Sequence, residues 1–147
     1  MYLFDASAVF NLVKRGYLKP LAKGVTLDLA VYEVLNAVWK EHYLLRHIDE
    51  DTVKELLDVL ERVFDVVTVA SIRSEEARVF ELAVKEGLTI HNATYLHYAL
   101  RNKPVLVTDN RRLMEKAKQY LETMSTRELV QKYMTLYEFL PVYSWVT

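Results

Sequence analysis

Asp5, Glu33, Asp109 and Asn92 are the residues of this sequence whose types and surroundings suit chemistry. Asp5 closes the apolar run over residues 1–4, and Asp109 follows a second such run over 104–107. A short continuous apolar run is how a strand buried on both faces reads, and open α/β sheets place their ligand sites at the carboxyl ends of strands. Glu33 lies at the edge of an apolar helix face, and Asn92 lies in the segment GLTIHNATYLHYAL. Carboxylates grouped on one rim repel and raise each other's pKa, so such a group persists around a cation. Hard oxygen ligands select Mg²⁺ or Mn²⁺ over zinc. Position alone leaves plainer roles open: Asp5 as a helix cap, Glu33 as a solvated helix-edge residue that complements the helix dipole.

The elements that must position these side chains alternate. Ser7 is placed to cap a helix from Ala8, and Gly16, Tyr17 and Pro20 break the pattern after it. A strand over 25–29 precedes a helix over 30–45 with Val31, Val34, Leu35, Val38 and Trp39 on one face. A helix over 51–64 has Val53, Leu56, Leu57, Leu60 and Phe64 as its apolar face, a strand follows over 66–69, and a helix ends at Gly87. Asn92 is placed to cap a helix from Ala93; then come the strand over 104–107, a helix over 111–117 and a short strand within 120–124. Ser125 and Glu128 form a capping box that opens a last helix to about residue 134. Such alternation predicts a three-layer α/β domain spanning 1–147, its central sheet mainly parallel and wrapped by helices on both faces.

Composition narrows the function. The chain has 147 residues, 52% apolar and 27% charged, with 3 Gly and no Cys. That excludes disulfides, thiolate metal sites, cysteine nucleophiles and a phosphate-cradling Gly-rich loop, and it suits a cytoplasmic protein. Asp5 interrupts the first apolar run, which is unlike a secretory signal, and no uncharged run approaches the length of a membrane span. A net charge of -1 gives no global pull toward nucleic acid. A local one exists in the basic segment from Arg101 through Arg111, Arg112 and Lys116 to Arg127. The apolar, aromatic extension over about 135–147 is expected to pack back on the domain or to cover a subunit interface.

Four segments in order, LFDAS with Asp5, VYEVLNAV with Glu33, GLTIHNATYLHYAL with Asn92 and LVTDNRRL with Asp109, resemble the PIN-domain nucleases. Within them the likeness is to the small prokaryotic VapC-type toxins. The resemblance implies a Mg²⁺- or Mn²⁺-dependent endoribonuclease in which acidic residues hold metal and an activated water attacks the RNA phosphodiester. It also implies a homodimer inhibited by a small antitoxin. Asp5 and Glu33 match the first and second acidic positions; the third, usually Asp, is Asn92; Asn110 falls in the fourth slot with Asp109 beside it. Asp5, Glu33 and Asp109 are thus expected to hold the metal, with Asn92 in the catalytic group. Ser7, His91, Thr108, Asn110, Arg111 and Arg112 are expected to support the ligands or touch substrate. The loss of charge at Asn92 implies weakened metal binding and slow hydrolysis with one metal, or a degenerate member that acts by binding RNA or protein. His42, His47 and His97 read as helix-surface residues.

Overall fold

Leu3 and Phe4 are neighbours in strand β1 (Tyr2–Phe4), both fully buried, and each belongs to a different hydrophobic core. Side chains alternate across a strand, so a sheet with two cores is covered on both faces. In the computed structural model, which describes residues 1–138, the other strands are β2 (Val25–Leu27), β3 (Thr68–Ala70), β4 (Val105–Val107) and β5 (Thr123–Met124). The sheet order is β3-β2-β1-β4-β5 and every pairing is parallel, with Leu3 opposite both Val25 and Leu106.

Helices α1 (Ala6–Arg15), α2 (Lys19–Ala22), α3 (Leu29–Trp39) and α4 (Glu50–Val66) occupy the first half of the chain. Helices α5 (Glu76–Glu86), α6 (Ile90–Asn102), α7 (Arg111–Ala117) and α8 (Thr126–Glu138) follow. On the Phe4 face, Val9 and Leu12 of α1, Val34 and Val38 of α3, Leu60 of α4 and Leu129 of α8 form one core. Opposite, around Leu3, Val79 and Ala83 of α5, Leu96 and Ala99 of α6 and Leu113 of α7 form the other. Each such aliphatic side chain contributes about 1.5–3 kcal/mol when fully buried, so the two faces hold the sheet between them. The expected three-layer arrangement is the one observed.

The chain leaves β1 outward through β2 and β3, then returns to pair β4 against the other side of β1. Strand order reverses there. A crevice opens outside the carboxyl ends of β1 and β4, where doubly wound sheets bind their ligands.

Local details depart from the sequence reading at the caps. Asp5, with extended backbone (φ -79, ψ 175), caps α1 itself and accepts the Ala8 N–H, so the helix starts before Ser7. Thr89, not Asn92, caps α6, and its side chain accepts the Asn92 N–H. Asp, Ser, Thr and Asn serve this role alike, and the backbone bend decides among neighbours. Gly16 ends α1 in the left-handed conformation (φ 74), where its N–H and that of Tyr17 close onto Val13 and Leu12.

The predicted helix over 30–45 is α3 continued by a π-helical turn, Lys40–Leu44. Its inward stripe is narrower than expected: Ala30, Val34 and Val38 are buried, whereas Leu35 and Trp39 are 44% and 47% exposed. On α4, Leu57 likewise faces solvent while Val63 takes the inner position. A three-to-four residue spacing marks a broad arc, and the sheet covers only its centre. Among the described residues no helix is long and apolar enough to cross a membrane. The apolar extension begins within α8, and its remainder, residues 139–147, lies outside the described residues.

Candidate functional site

Asp5 leaves β1 at the crevice and is 3% exposed. Its Oδ1 accepts from the Ser7 hydroxyl at 2.7 Å and from the Ala8 N–H at 2.9 Å; its Oδ2 accepts from the Thr108 hydroxyl. Those hydroxyls in turn accept backbone N–H groups, Asp109 onto Ser7 Oγ and Asn110 onto Thr108 Oγ1, each at 3.0 Å. Ser7 and Thr108 thereby stitch the turn after β1 to the turn after β4. Burial pushes the Asp5 carboxyl up to about 6, against the pull of these donors, and the charge of Glu33 pushes the same way.

Glu33 reaches the crevice from α3. Its carboxyl is raised chiefly by burial, while the Tyr95 hydroxyl, which donates to Oε1 at 3.0 Å, and the nearby His91 oppose the rise. Tyr95 comes from α6, is 2% exposed, and has its phenol held up by burial and by both Glu33 and Asp5. Beside the pair lies a cleft of about 590 Å³ whose walls include Ser7, Asn11, Tyr32, Glu33, Asn36, Lys40 and His91. Asp5 and Glu33, one at the end of β1 and one at the start of α3, are the carboxylates brought together.

Asp109 is held elsewhere. Its carboxylate accepts from Asn11 Nδ2 at 2.6 Å, from the Thr126 N–H at 2.9 Å and from the Thr126 hydroxyl at 2.6 Å, so it serves the start of α8. Asn110 caps α7 through the Leu113 N–H and donates from Nδ2 to Asn92 Oδ1 at 3.3 Å. Arg112 bends back onto the Gly87 carbonyl, and Arg111 is exposed on α7. A smaller basic cleft is lined by Asn11, Lys14, Arg15, Asp109, Thr126 and Arg127; Asn11 lines both clefts. His97, read as a surface residue, is tucked against Glu75 with its side chain 13% exposed. Tyr95, Asn11 and Lys14 have no signal in the sequence that sets them apart from packing or solvated positions.

The donor set tests what the site can hold. Among the described residues no group of three or more acidic or histidine side chains converges on one point. Asp5, buried, and Glu33, half-buried, interact electrostatically, both with raised pKa, and neither has an ion-pair partner among the described residues. Each carboxylate oxygen accepts about two hydrogen bonds, so Asp5 keeps capacity on Oδ2 and Glu33 keeps Oε2. Mg²⁺ is commonly bound through one or two carboxylates, with waters and phosphate oxygens completing the octahedron. These residues fit one hard divalent ion, and carry too little charge for two.

Over 134 residues, 88% of this chain and 97% of the relative, the sequence is 34% identical to Exonuclease VapC9 of Pyrobaculum aerophilum. The chain belongs to the VapC-type PIN-domain family. A second VapC relative, Ribonuclease VapC3 of the same organism, is 37% identical over 91 residues, 62% of this chain and 69% of its own. No protein-family model matches the chain. The crystal structure of PAE2754 from Pyrobaculum aerophilum superposes with a TM-score of 0.76 at 29% identity, covering 91% of this chain and 95% of the other. The three-layer VapC-type PIN fold expected from the four motif segments is thus the fold found.

Proposed function

We propose that this VapC-type protein is a divalent-metal-dependent endoribonuclease that works with a single Mg²⁺ or Mn²⁺. The observation that carries the reading is the meeting of Asp5 and Glu33 at the switch point of the sheet, two desolvated carboxylates without a cationic partner among the described residues. The relatives named ribonuclease and exonuclease support a nuclease, and the open cleft beside the pair suits a chain of phosphates.

Asp5 and Glu33 would hold the ion, which when bound lowers the pKa of water and stabilises charge on phosphate oxygens. Ser7 and Thr108 fix the Asp5 carboxylate with their hydroxyl protons, leaving Oδ2 with one acceptor position for an ion. His91, exposed on the cleft wall near Glu33, would give a proton to the leaving oxygen. Asn92 and Asn110 offer neutral amides where a second acidic pair would be needed for two ions. Lys14, Arg15 and Arg127 in the adjoining basic cleft would contact flanking phosphates, which positions a strand without reading its sequence. The protein would act in the cytoplasm, as a homodimer under the control of a small antitoxin. Exposed Tyr32, Leu35, Trp39 and Tyr43 along α3 and its π-helical turn, 76%, 44%, 47% and 65% exposed, support such an apolar interface.

The second reading is a degenerate member that binds RNA or a protein without hydrolysis, and the amide pair Asn92–Asn110 favours it. Cleavage of a labelled single-stranded RNA in Mn²⁺, Mg²⁺ and EDTA separates the two. Metal-dependent cleavage that Asp5→Asn abolishes supports the nuclease. Inert wild type with an active Asn92→Asp variant supports the binder, and inactivity of both rejects the site.

A further inference from the structure

Tyr95 is the one buried side chain at the crevice that the reaction outlined above leaves without a part. Its ring is packed in the core, 2% exposed, and its hydroxyl lies against Glu33, within electrostatic reach of Asp5. The hydroxyl donates to Glu33 Oε1 at 3.0 Å. The phenol also feels the charge of the carboxylate of Asp5, the residue directly before α1. The phenol of α6 is thus bonded to the carboxylate of α3 and lies within electrostatic reach of the carboxylate at the start of α1. Glu33 and Tyr95 are 62 positions apart in sequence, and no other hydrogen bond among the described residues reaches the Glu33 carboxylate.

We propose that Tyr95 is a positioning residue that sets the spacing of Asp5 and Glu33 and so determines how tightly a divalent ion is held; this rests on the single-ion reading above. Glu33 hangs from a helix by flexible torsions, and only a fixed contact on Oε1 aims Oε2 at the cleft. The same phenol interacts with Asp5, so the group that fixes Glu33 is packed beside the turn that fixes Asp5. Both carboxylates are therefore held to one frame. Partners in this outer position typically change metal affinity by 10–100-fold when removed.

The test is Mn²⁺ uptake by the full chain, read as loss of the free-ion paramagnetic resonance signal, for wild type, Tyr95→Phe, Glu33→Gln and the double variant, with melting in EDTA alongside. Tyr95→Phe deletes one oxygen and keeps the ring in its core. The expected result is a roughly tenfold or greater loss of Mn²⁺ affinity in Tyr95→Phe. In the Glu33→Gln background the same change should cost little more, because its effect passes through Glu33. Should Tyr95→Phe melt far below wild type, Mn²⁺ uptake is read at a temperature where both are fully folded, and the tenfold loss must persist there. Equal Mn²⁺ affinity in Tyr95→Phe and wild type overturns the inference, as does an undiminished loss in the Glu33→Gln background. Failure of the wild type itself to take up Mn²⁺ overturns the metal reading beneath it, which is a separate result.

Discussion

The side-chain amide of Asn110 donates to the side-chain oxygen of Asn92 at 3.3 Å, joining the cap of α7 to the first turn of α6. Two neutral groups are paired where carboxylates would repel. The arrangement needs no cation to be stable, which separates it from the Asp5–Glu33 pair a short way off.

Asn92→Asp should convert that difference into a measurable gain. The new carboxylate would accept from Asn110 Nδ2, and hydrogen bonds to an ionised acceptor are about twice as strong as neutral ones. It would also add a third negative charge to the crevice. Mn²⁺ affinity should rise at least tenfold by calorimetry, and RNA cleavage should rise with it. An unchanged affinity would mean that Asn92 lies outside the reach of the ion.

Asp5 should make the metal-free protein less stable as pH rises. Its folded pKa of about 6 lies above the ordinary 3.8, so folding favours the protonated form. Below the ordinary value the group is protonated in both states and has no effect; above about 6 it is ionised in both, and the folded state bears the cost of burying the charge. The loss develops between these limits and amounts to about 3 kcal/mol at one pKa unit per 1.36 kcal/mol. Asp5→Asn, whose amide can still accept from Ser7 and Ala8 and donate to Thr108, should therefore melt higher than wild type in EDTA at pH 7. At pH 4 the two should melt nearly together.

Asp109 should act as a lock on α8. Asp109→Ala removes the acceptor of Asn11 and of both Thr126 donors, and Thr126 is only 3% exposed. Loss of such a cap and stranding of a buried donor should cost about 2–3 kcal/mol in urea unfolding. Mn²⁺ affinity should stay within about twofold of wild type, because a lock differs from a ligand in leaving the first shell of the ion intact. A tenfold loss of affinity in a folded variant would make Asp109 a ligand after all.

A circular single-stranded RNA distinguishes internal cleavage from attack at an end. The relatives are named ribonuclease and exonuclease, and the cleft beside Glu33 is open along the surface. We expect the circle to be opened in Mn²⁺ at a rate comparable to a linear strand. A circle that survives while the linear strand is degraded would assign an exonuclease.

Much of this was legible in the sequence because burial on two faces leaves a plain mark. The runs ending at Phe4 and Val107 have no polar residue to point outward, and both proved to be central strands ending at the crevice. Helix α7 was found at its observed limits, Arg111–Ala117, directly after the strand end. Caps slipped by a few residues where two good capping residues stand close together, as Asp5 with Ser7 and Thr89 with Asn92. The partner of Glu33 was not legible at all. Tyr95 has apolar neighbours at helical spacing, the same pattern as any packed tyrosine, and only the folded chain brings it to a carboxylate on another helix. Asp109 was placed on the right strand but its direction was not readable, since a residue just past a strand end is free to turn toward either neighbour.

The bond between Thr108 and Asp5 spans 103 positions. Closing so long a loop is slow, because its entropy is lost before the contact repays it. The alignment of Asp5 by Thr108 does not exist until β4 has paired with β1. A chain that has paired β1, β2 and β3 but not β4 therefore holds Glu33 without an aligned Asp5 beside it, so the crevice is the last part of the sheet to acquire its chemistry.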